Sequence, residues 1–413
     1  METKGEVVFE QQIERGCGID VHKKVLVATI KGLGIKEETR SFDSFTSSIE
    51  AMRDWLLEHK ITHIAMESTG VYWKPVFNVL EEYFDIILVN ARHIKNVPGH
   101  KTDKKDSKWI SKLLISGLLK GSFIPPRPIR ELRDLTRYRR KIVGQIASEK
   151  NRIHKILEDA NIKLSSVVSS MSGATASKII EAMIAGEEDI EKLTAYHHGK
   201  IQATKEELAD ALKGFLTDHH RFLLQMVRIS IQSKESLIDK LEKEIDQHLE
   251  RNKLKVSVEL LQSIPGVGKD GAREIIAEIG NDMGQFPSEQ HLASWAGMCP
   301  GNNESAGKKK SGRITHGNNY LKIVLVQCGW AATRTKGTYL RSKYDSLVGR
   351  RGKKRALIAV GHKILIATYF ILKNQIPYKE LGNEFLENKK KDKQILHHLK
   401  RLKELGIEVE EVA

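Results

Sequence analysis

The 413-residue chain is poor in cysteine, proline and aromatic residues, with three Cys, nine Pro and 6% Phe, Trp and Tyr. Cys17, Cys299 and Cys328 are odd in number and nowhere spaced Cys-x-x-Cys, which argues against a disulfide framework and a structural zinc and suits a reducing compartment. No stretch reaches the roughly 18 uninterrupted apolar residues that a membrane-spanning helix needs. The most apolar segment, 356–372, is broken by His362 and Lys363. The opening Met-Glu-Thr-Lys-Gly-Glu has no signal-peptide apolar core, so a cytoplasmic protein without a membrane partner is expected. Acid is also in short supply: 53 Asp and Glu stand against 68 Lys and Arg, a net charge of +15. That balance suits a polyanionic partner, of which nucleic acid is the commonest.

Against this basic background four carboxylates stand out. Asp20 follows Gly-Cys-Gly-Ile and precedes an apolar stretch at 25–30, while Glu67 ends Ile-Thr-His-Ile-Ala-Met and is followed by Ser-Thr-Gly. Asp103 and Asp106 are three apart in Lys-Thr-Asp-Lys-Lys-Asp-Ser, so on a helix they share one face. Two acids at strand ends and an i, i+3 pair form an all-oxygen donor set for two Mg²⁺ ions, which clamp the attacking and leaving oxygens of a phosphodiester. The plainer reading is helix capping by Asp103 and neutralisation of Asp106 by Lys104 and Lys105. Asp20 resists it, because an acid within a central strand is costly unless coordinated.

The pattern predicts strands at 15–30 and 35–42 around a turn at Gly32 and Gly34, a helix at 45–59 and a strand at 61–66. A helix at 71–83, a strand at 85–90 and a helix ending near Leu119 follow. This is an α/β, ribonuclease-H-like (RuvC-like) order over residues 1–124, with a mostly helical remainder. Pro125, Pro126 and Pro128 mark a hinge into a helical linker and coiled-coil region at 125–255. That region carries the basic run Arg137-Tyr-Arg139-Arg140-Lys141, expected to contact nucleic-acid phosphate, and an apolar seam from Leu224 through Val227, Ile231, Ile238, Leu241 and Ile245. The seam serves self-association or packing within the chain. A C-terminal domain spans 256–376, followed by a basic helical tail at 377–413. Ile264-Pro-Gly266-Val-Gly268-Lys269 has a helix-hairpin-helix pattern whose backbone N–H groups suit a phosphate; a plain turn is the alternative.

Residues 301–355 hold fourteen Lys and Arg, among them Lys308, Lys309, Lys310, Arg313, Arg350, Arg351, Lys353 and Lys354, against Glu304 and Asp345 alone. So one-sided a run suits a phosphate track, with binding that falls steeply as salt rises. At its start lies Trp-Ala-Gly-Met-Cys-Pro300-Gly-Asn-Asn-Glu-Ser305-Ala-Gly, a small-residue loop beside a lysine cluster. A serine hydroxyl becomes a useful nucleophile only where its alkoxide and the attacked phosphate are stabilised. On chemistry alone Ser305 and Ser311 are equal candidates.

Taken together, Gly-Ile-Asp20-Val-His-Lys, Met-Glu67-Ser-Thr-Gly, Lys-Thr-Asp103-Lys-Lys-Asp106, Ile-Pro-Gly-Val-Gly and Ala-Gly-Met-Cys-Pro-x4-Ser305 closely resemble the insertion-sequence one-ten transposases. The likeness runs in the family's order from about residue 15 to 375. It implies a bacterial or archaeal, nucleoid-associated DNA recombinase with a RuvC-like domain whose acids, here Asp20, Glu67, Asp103 and Asp106, bind Mg²⁺. Ser305 matches the family's serine, which attacks a phosphodiester to leave a phosphoserine–DNA intermediate; Ala306 separates it from the glycine that commonly adjoins it. The resemblance further implies double-stranded donor and target DNA, a non-coding bridge RNA that pairs with both, and a homo-oligomer, dimer or tetramer, in which one protomer's acids meet another's serine. The alternative is a RuvC-like nuclease or Holliday-junction resolvase using the same acids with water as attacker.

Overall fold

The computed structural model describes residues 13–68, 70–89, 103–119, 121–198, 201–301, 303–305, 308–311 and 313–404. The chain divides into two compact units, Met1–Ile124 and Pro125–Ala413.

In the first unit five strands form one sheet in the order β3-β2-β1-β4-β5. They are β1 (Arg15–Val21), β2 (Val25–Gly32), β3 (Glu38–Asp43), β4 (His63–Glu67) and β5 (Asp85–Val89). The first three are an antiparallel meander, and β4 and β5 add in parallel. The single strand expected over 15–30 is therefore a hairpin: His22, Lys23 and Lys24 are exposed, and the His22 amide donates to the Val25 carbonyl at 3.0 Å. Three consecutive polar residues cannot follow the buried alternation on either side, so the chain reverses there. The second turn contains Gly34 at φ +73°, a conformation that favours glycine. Strand alternation separates the two sheet faces. Cys17, Ile19 and Val21 pack with Ile64 and Met66 under helices α1 (Thr46–Glu58) and α2 (Trp73–Leu80). The opposite face is covered by α3 (Asp103–Ile115), whose Ile110, Leu113 and Leu114 meet Ala65 and Val89. Asn90 and the polar loop expected before α3 lie outside the described residues.

The second unit is mostly helical. Pro126 caps and Pro128 sits in the first turn of α4 (Arg127–Asp159), where a missing N–H costs nothing. Short helices α5 (Leu164–Val167), α6 (Ala174–Ile184), α7 (Ile190–Thr194) and α8 (Lys205–Leu212) lead to α9 (Asp218–Arg251). Helix α9 runs antiparallel to α4, as the pairs His248–Pro128, Arg139–Glu242 and His220–Asp159 require. Leu224, Val227 and Ile231 of the apolar seam are buried within this chain against Ile142, Ile146 and Ile153 and the short helices. Each such side chain contributes about 1.5–3 kcal/mol of burial. Lys234, which breaks the seam, reaches Glu149 at 3.3 Å, and His248 donates from Nε2 to the Pro128 carbonyl at 2.7 Å.

Helices α10 (Lys255–Gln262) and α11 (Lys269–Ile279) are joined by the Pro-Gly-Val-Gly turn, and α12 (Glu289–Trp295) follows. A two-stranded hairpin, β6 (Asn303–Ser305) and β7 (Lys308–Ser311), precedes α13 (Asn319–Ala332), α14 (Tyr339–Arg351), α15 (Lys353–Asn374) and α16 (Phe385–Glu404). Among the described residues α15 is long and apolar enough to cross a membrane, and half of its apolar window is buried inside the unit. Val360, Ile364 and Leu365 are fully enclosed, and the neighbouring Tyr369 hydroxyl donates to the Phe286 carbonyl at 3.2 Å. Burial of that kind marks a core helix.

Candidate active site and nucleic-acid interface

Gly16, Gly18 and Asp20 alternate with the apolar residues of β1 and so face α3. The two glycines let the helix lie directly on the strand. A Cβ at Gly18 would fall 2.4 Å from the Ser107 carbonyl oxygen and 2.4 Å from the Ser111 amide nitrogen, and one at Gly16 would strike Leu114. Thr29, paired with Gly18 across the hairpin, holds the same turn of α3 through its hydroxyl, 2.8 Å from Ser107 Oγ. Asp20 is the next residue along this face, toward the start of α3. The parallel ladder pairs Ile19 with Met66, so Asp20 and Glu67 lie side by side where β1 and β4 end. Register and helix placement thus bring Asp20, Glu67 and the first turn of α3, with Asp103 and Asp106, to one end of one sheet face.

Asp20 is buried, and His22 Nε2 donates to its Oδ2 at 3.0 Å. Glu67 and Asp106 are half-buried, and the side chain of Asp103 lies outside the described residues. Among the described residues no three His, Cys, Asp or Glu side chains are gathered closely enough to hold an ion. The donor chemistry nevertheless fits a hard divalent cation, being carboxylate oxygen alone, and a buried carboxylate is best stabilised by one.

Ser305 is the last residue of β6, in register with Lys308 of β7; its side chain and those of Lys308, Lys309 and Lys310 lie outside the described residues. The stem below is described. Pro300 bridges Ile314, and the Gly301 amide donates to the Arg313 carbonyl at 2.8 Å. At the foot of the stem two glycines touch. A Cβ at Gly317 would fall 2.4 Å from the Ala296 carbonyl oxygen and 2.4 Å from the Gly297 nitrogen, and Gly297 itself has φ +66°. Asn318 then caps α13, accepting from the Leu321 amide at 3.2 Å, while its Nδ2 donates to Glu278 Oε2 at 2.5 Å. Burial pushes the pKa of Cys299, in the same loop, above its ordinary value, which keeps that thiol protonated and a weak competitor to a serine.

The basic residues divide into two groups. Arg137, Arg139 and Arg140, expected from the sequence on a phosphate-contacting surface, are instead engaged by carboxylates of this chain. Arg137 grips Glu278 through Nε and Nη2, both at 2.8 Å, and stacks 4.0 Å from the centre of the Tyr320 ring. Arg139 reaches Glu242 at 2.6 Å and Asp270 at 2.8 Å, and Arg140 reaches Glu274 at 3.1 Å. The sequence run looked one-sided because the neutralising acids sit more than 100 residues downstream. Lys269 meets Asp246 at 3.1 Å. Gly266, at φ +86°, is pressed against α13, where a Cβ would fall 2.4 Å from the Ala332 nitrogen; Gly268, which caps α11, faces open space. The second group is exposed: Lys141, Arg313, Arg350, Arg351, Lys353 and Lys354.

Sequence reasoning missed His22, Gly18, Glu278 and Asn318. Gly18 had a signal, small residues at every second position before Asp20. Glu278 had one too, a lone acid in the apolar run Ile-Ile-Ala-Glu-Ile.

Residues 17–162 match the DEDD transposase model of the IS110 type, and residues 258–345 match a second model described as the transposase IS116/IS110/IS902 family. The chain is 30% identical over 130 residues to the pilin gene-inverting protein of Moraxella bovis, covering 30% of this chain and 39% of that protein. The corresponding protein of Moraxella lacunata matches over the same length at the same identity, so the chain spans about two fifths of these relatives. The "Putative transposase y4qE" of Sinorhizobium fredii is 22% identical over 356 residues, which is 84% of this chain and 77% of that protein. The two matched regions, in family order and together more than half the sequence, contain the acids and the serine hairpin: the chain belongs to the IS110 family of transposases.

Proposed function

We propose that the protein is a DNA recombinase that cuts and rejoins strands through a covalent phosphoserine link at Ser305, with the carboxylates of a ribonuclease-H-like first unit binding divalent metal. The observation that carries this reading is the register that sets Asp20 beside Glu67 at the end of the sheet where α3 begins. A meander extended by two parallel strands, with a helix over the acidic face, supports the ribonuclease-H-like assignment. Asp20, Glu67, Asp103 and Asp106 would hold Mg²⁺, which when bound supplies Lewis-acid stabilisation of the phosphodiester oxygens.

The chain's own part is nucleophile, charge and geometry. Ser305 Oγ attacks the scissile phosphorus, a P–O bond to serine forms, and the bond to a deoxyribose oxygen breaks. The serine proton passes to solvent and the departing oxygen takes one up. A second deoxyribose hydroxyl reverses the exchange, so phosphoester bonds are conserved and no nucleotide triphosphate is consumed. Lys308, Lys309, Lys310 and Arg313 offset phosphate charge along the hairpin. The Pro-Gly-Val-Gly turn serves as a helix-hairpin-helix phosphate contact, with Gly268 as its open side. Donor and target duplexes, a guiding bridge RNA, assembly of protomers and a cytoplasmic location complete the proposal, on the strength of the family resemblance.

Ser305→Ala tests it. Wild-type protein mixed with donor DNA and Mg²⁺ should form a denaturation-resistant protein–DNA adduct; the variant should bind DNA but form none. Adduct in the variant would place the nucleophile elsewhere. Strand cleavage without adduct in the wild type would favour the nuclease that uses water.

A further inference from the structure

At the foot of the serine hairpin the second unit has an open cavity of about 960 Å³. Its lining is largely apolar, this apolar floor comprising Met298, Leu347, Ile358 and Ala359 with the more exposed Pro300 and Ile314. The same lining is cationic, with Arg351, Lys354, Arg355 and Lys363 beside Arg313 and Lys343, which have partners of their own. Among the described residues none that lines it is a carboxylate, whereas the cavity of about 330 Å³ beside α11 matches Arg139 and Arg140 with Asp270 and Glu274. Volumes of this size seat small organic ligands. An apolar surface wants a flat, weakly hydrated group, and Arg351, Lys354, Arg355 and Lys363 beside it want flexibly spaced negative charge. A nucleotide unit of a single strand has both, and guanidinium planes can stack on its base. A stacked duplex has its bases turned inward and presents nothing that fits the floor.

We infer that this cavity seats an unstacked nucleobase of a DNA strand, with the flanking phosphates on its rim, and so parks the strand beside Ser305. The placement at a reacting strand rests on the proposed role of Ser305; the binding itself does not. Pro300 and Ile314 are the bridged residues at the base of the hairpin, so an occupied floor also fixes the stem that carries the serine. His362 lines the wall, and its burial beside Lys363 lowers its pKa, leaving a neutral imidazole with one donor and one acceptor for a base edge. Extruding a base costs least where it is already unpaired, so the cavity should favour DNA with an unpaired nucleotide.

The experiment compares, by fluorescence anisotropy in magnesium-free buffer, full-length protein binding to a short DNA duplex with one bulged nucleotide and to the same duplex fully paired. Wild type should prefer the bulge by roughly tenfold, the scale of a single base contact. Ala359→Trp, which fills the floor, and Ile358→Glu, which charges it, should each remove the preference while affinity for the paired duplex stays within about twofold. Retained duplex affinity shows that the variants fold. Ser305→Ala should keep the preference, so failure of the cavity and failure of the serine mechanism give different results. The inference is overturned if wild type shows no preference, or if the preference survives both substitutions. It is also overturned if the same bulge in RNA binds better, or if the substitutions change only sedimentation, which would give the face to a second copy of the chain.

Discussion

Glu278→Ala removes a carboxylate that is 2% exposed and that Arg137 contacts through two nitrogens at 2.8 Å and Asn318 through a third at 2.5 Å. Arg133 Nε lies 3.4 Å from the same carboxylate. Arg133 also donates to the Ala277 and Glu278 carbonyls at 3.0 and 2.7 Å, and burial pushes its pKa below the usual arginine value. An intact buried ion pair contributes little net stability, but removing one partner strands the other and costs about 3–5 kcal/mol. Arg137 keeps a third of its side chain in solvent, which places the expected loss near the lower bound, about 3 kcal/mol. That is still a large share of the roughly 5–15 kcal/mol by which domains are stable. Because the chain has two compact units, urea unfolding of the full protein should be paired with hydrogen exchange at the amides of α11. The variant should lose protection in α11 and at the head of α13, where Asn318 loses its partner. Arg137→Met with Glu278→Leu should recover part of the loss, since an apolar pair needs no desolvated charge. A loss under about 1 kcal/mol in the single variant would refute the buried charge cluster as the clamp of this unit.

A divalent cation at a hundred times its Kd should stabilise the wild type by about 2.7 kcal/mol, and Asp20→Asn should abolish both strand transfer and most of that gain. Thermal melting in Mg²⁺ against chelator checks this, and an undiminished gain in the variant would place the ion elsewhere. Gly18→Ala should cost about 1–3 kcal/mol and end strand transfer although no acid is removed, because α3 must retreat from a methyl 2.4 Å from its backbone; normal melting and activity would refute the close packing. Lys353→Glu should raise the melting temperature while weakening DNA binding, and a lower melting temperature would count against the charge placement at the head of α15.

The hairpin, helix, strand, helix, strand, helix order of the first unit was legible because strand-like runs and helical spacing in α1 are local signals. The turn at His22–Lys24 was not, since Val21 and Val25 flank it with strand-like residues and hide a three-residue break. Asp20, Glu67 and Asp106 stand out in the sequence as acids in a basic chain. That Asp20 and Glu67 end adjacent strands, with the start of α3 on the same face, depends on the β1–β4 register and on Gly16 and Gly18, which only pairing across the sheet reveals. Arg137, Arg139 and Arg140 show the complementary case: a local window reads charge density, but neutralisation by Glu278, Glu242 and Glu274 is a tertiary event.

That distinction changes what the net charge of +15 means for a polyanion. Positive charge in α4 holds helices together and is largely cancelled before it reaches solvent. Positive charge at Arg350, Arg351, Lys353, Lys354 and Arg355 stays at the surface, and its two halves have opposite local effects. Arg350 and Arg351 close the last turn of α14, where cations favour the helix dipole. Lys353, Lys354 and Arg355 occupy the first turn of α15, with no acid in that turn and only Gly352, which has no side chain to cap it. Cations there oppose the dipole by about 0.3–1 kcal/mol each. Helix stability alone would favour acids at those positions. A phosphate chain laid across the junction reverses the sign of the penalty, because its charge meets the helix N-terminus and three cations together. The residues at the head of α15 are thus unfavourable in the isolated protein and favourable in a complex, which is the pattern expected of a binding surface and the reverse of the arginines in α4.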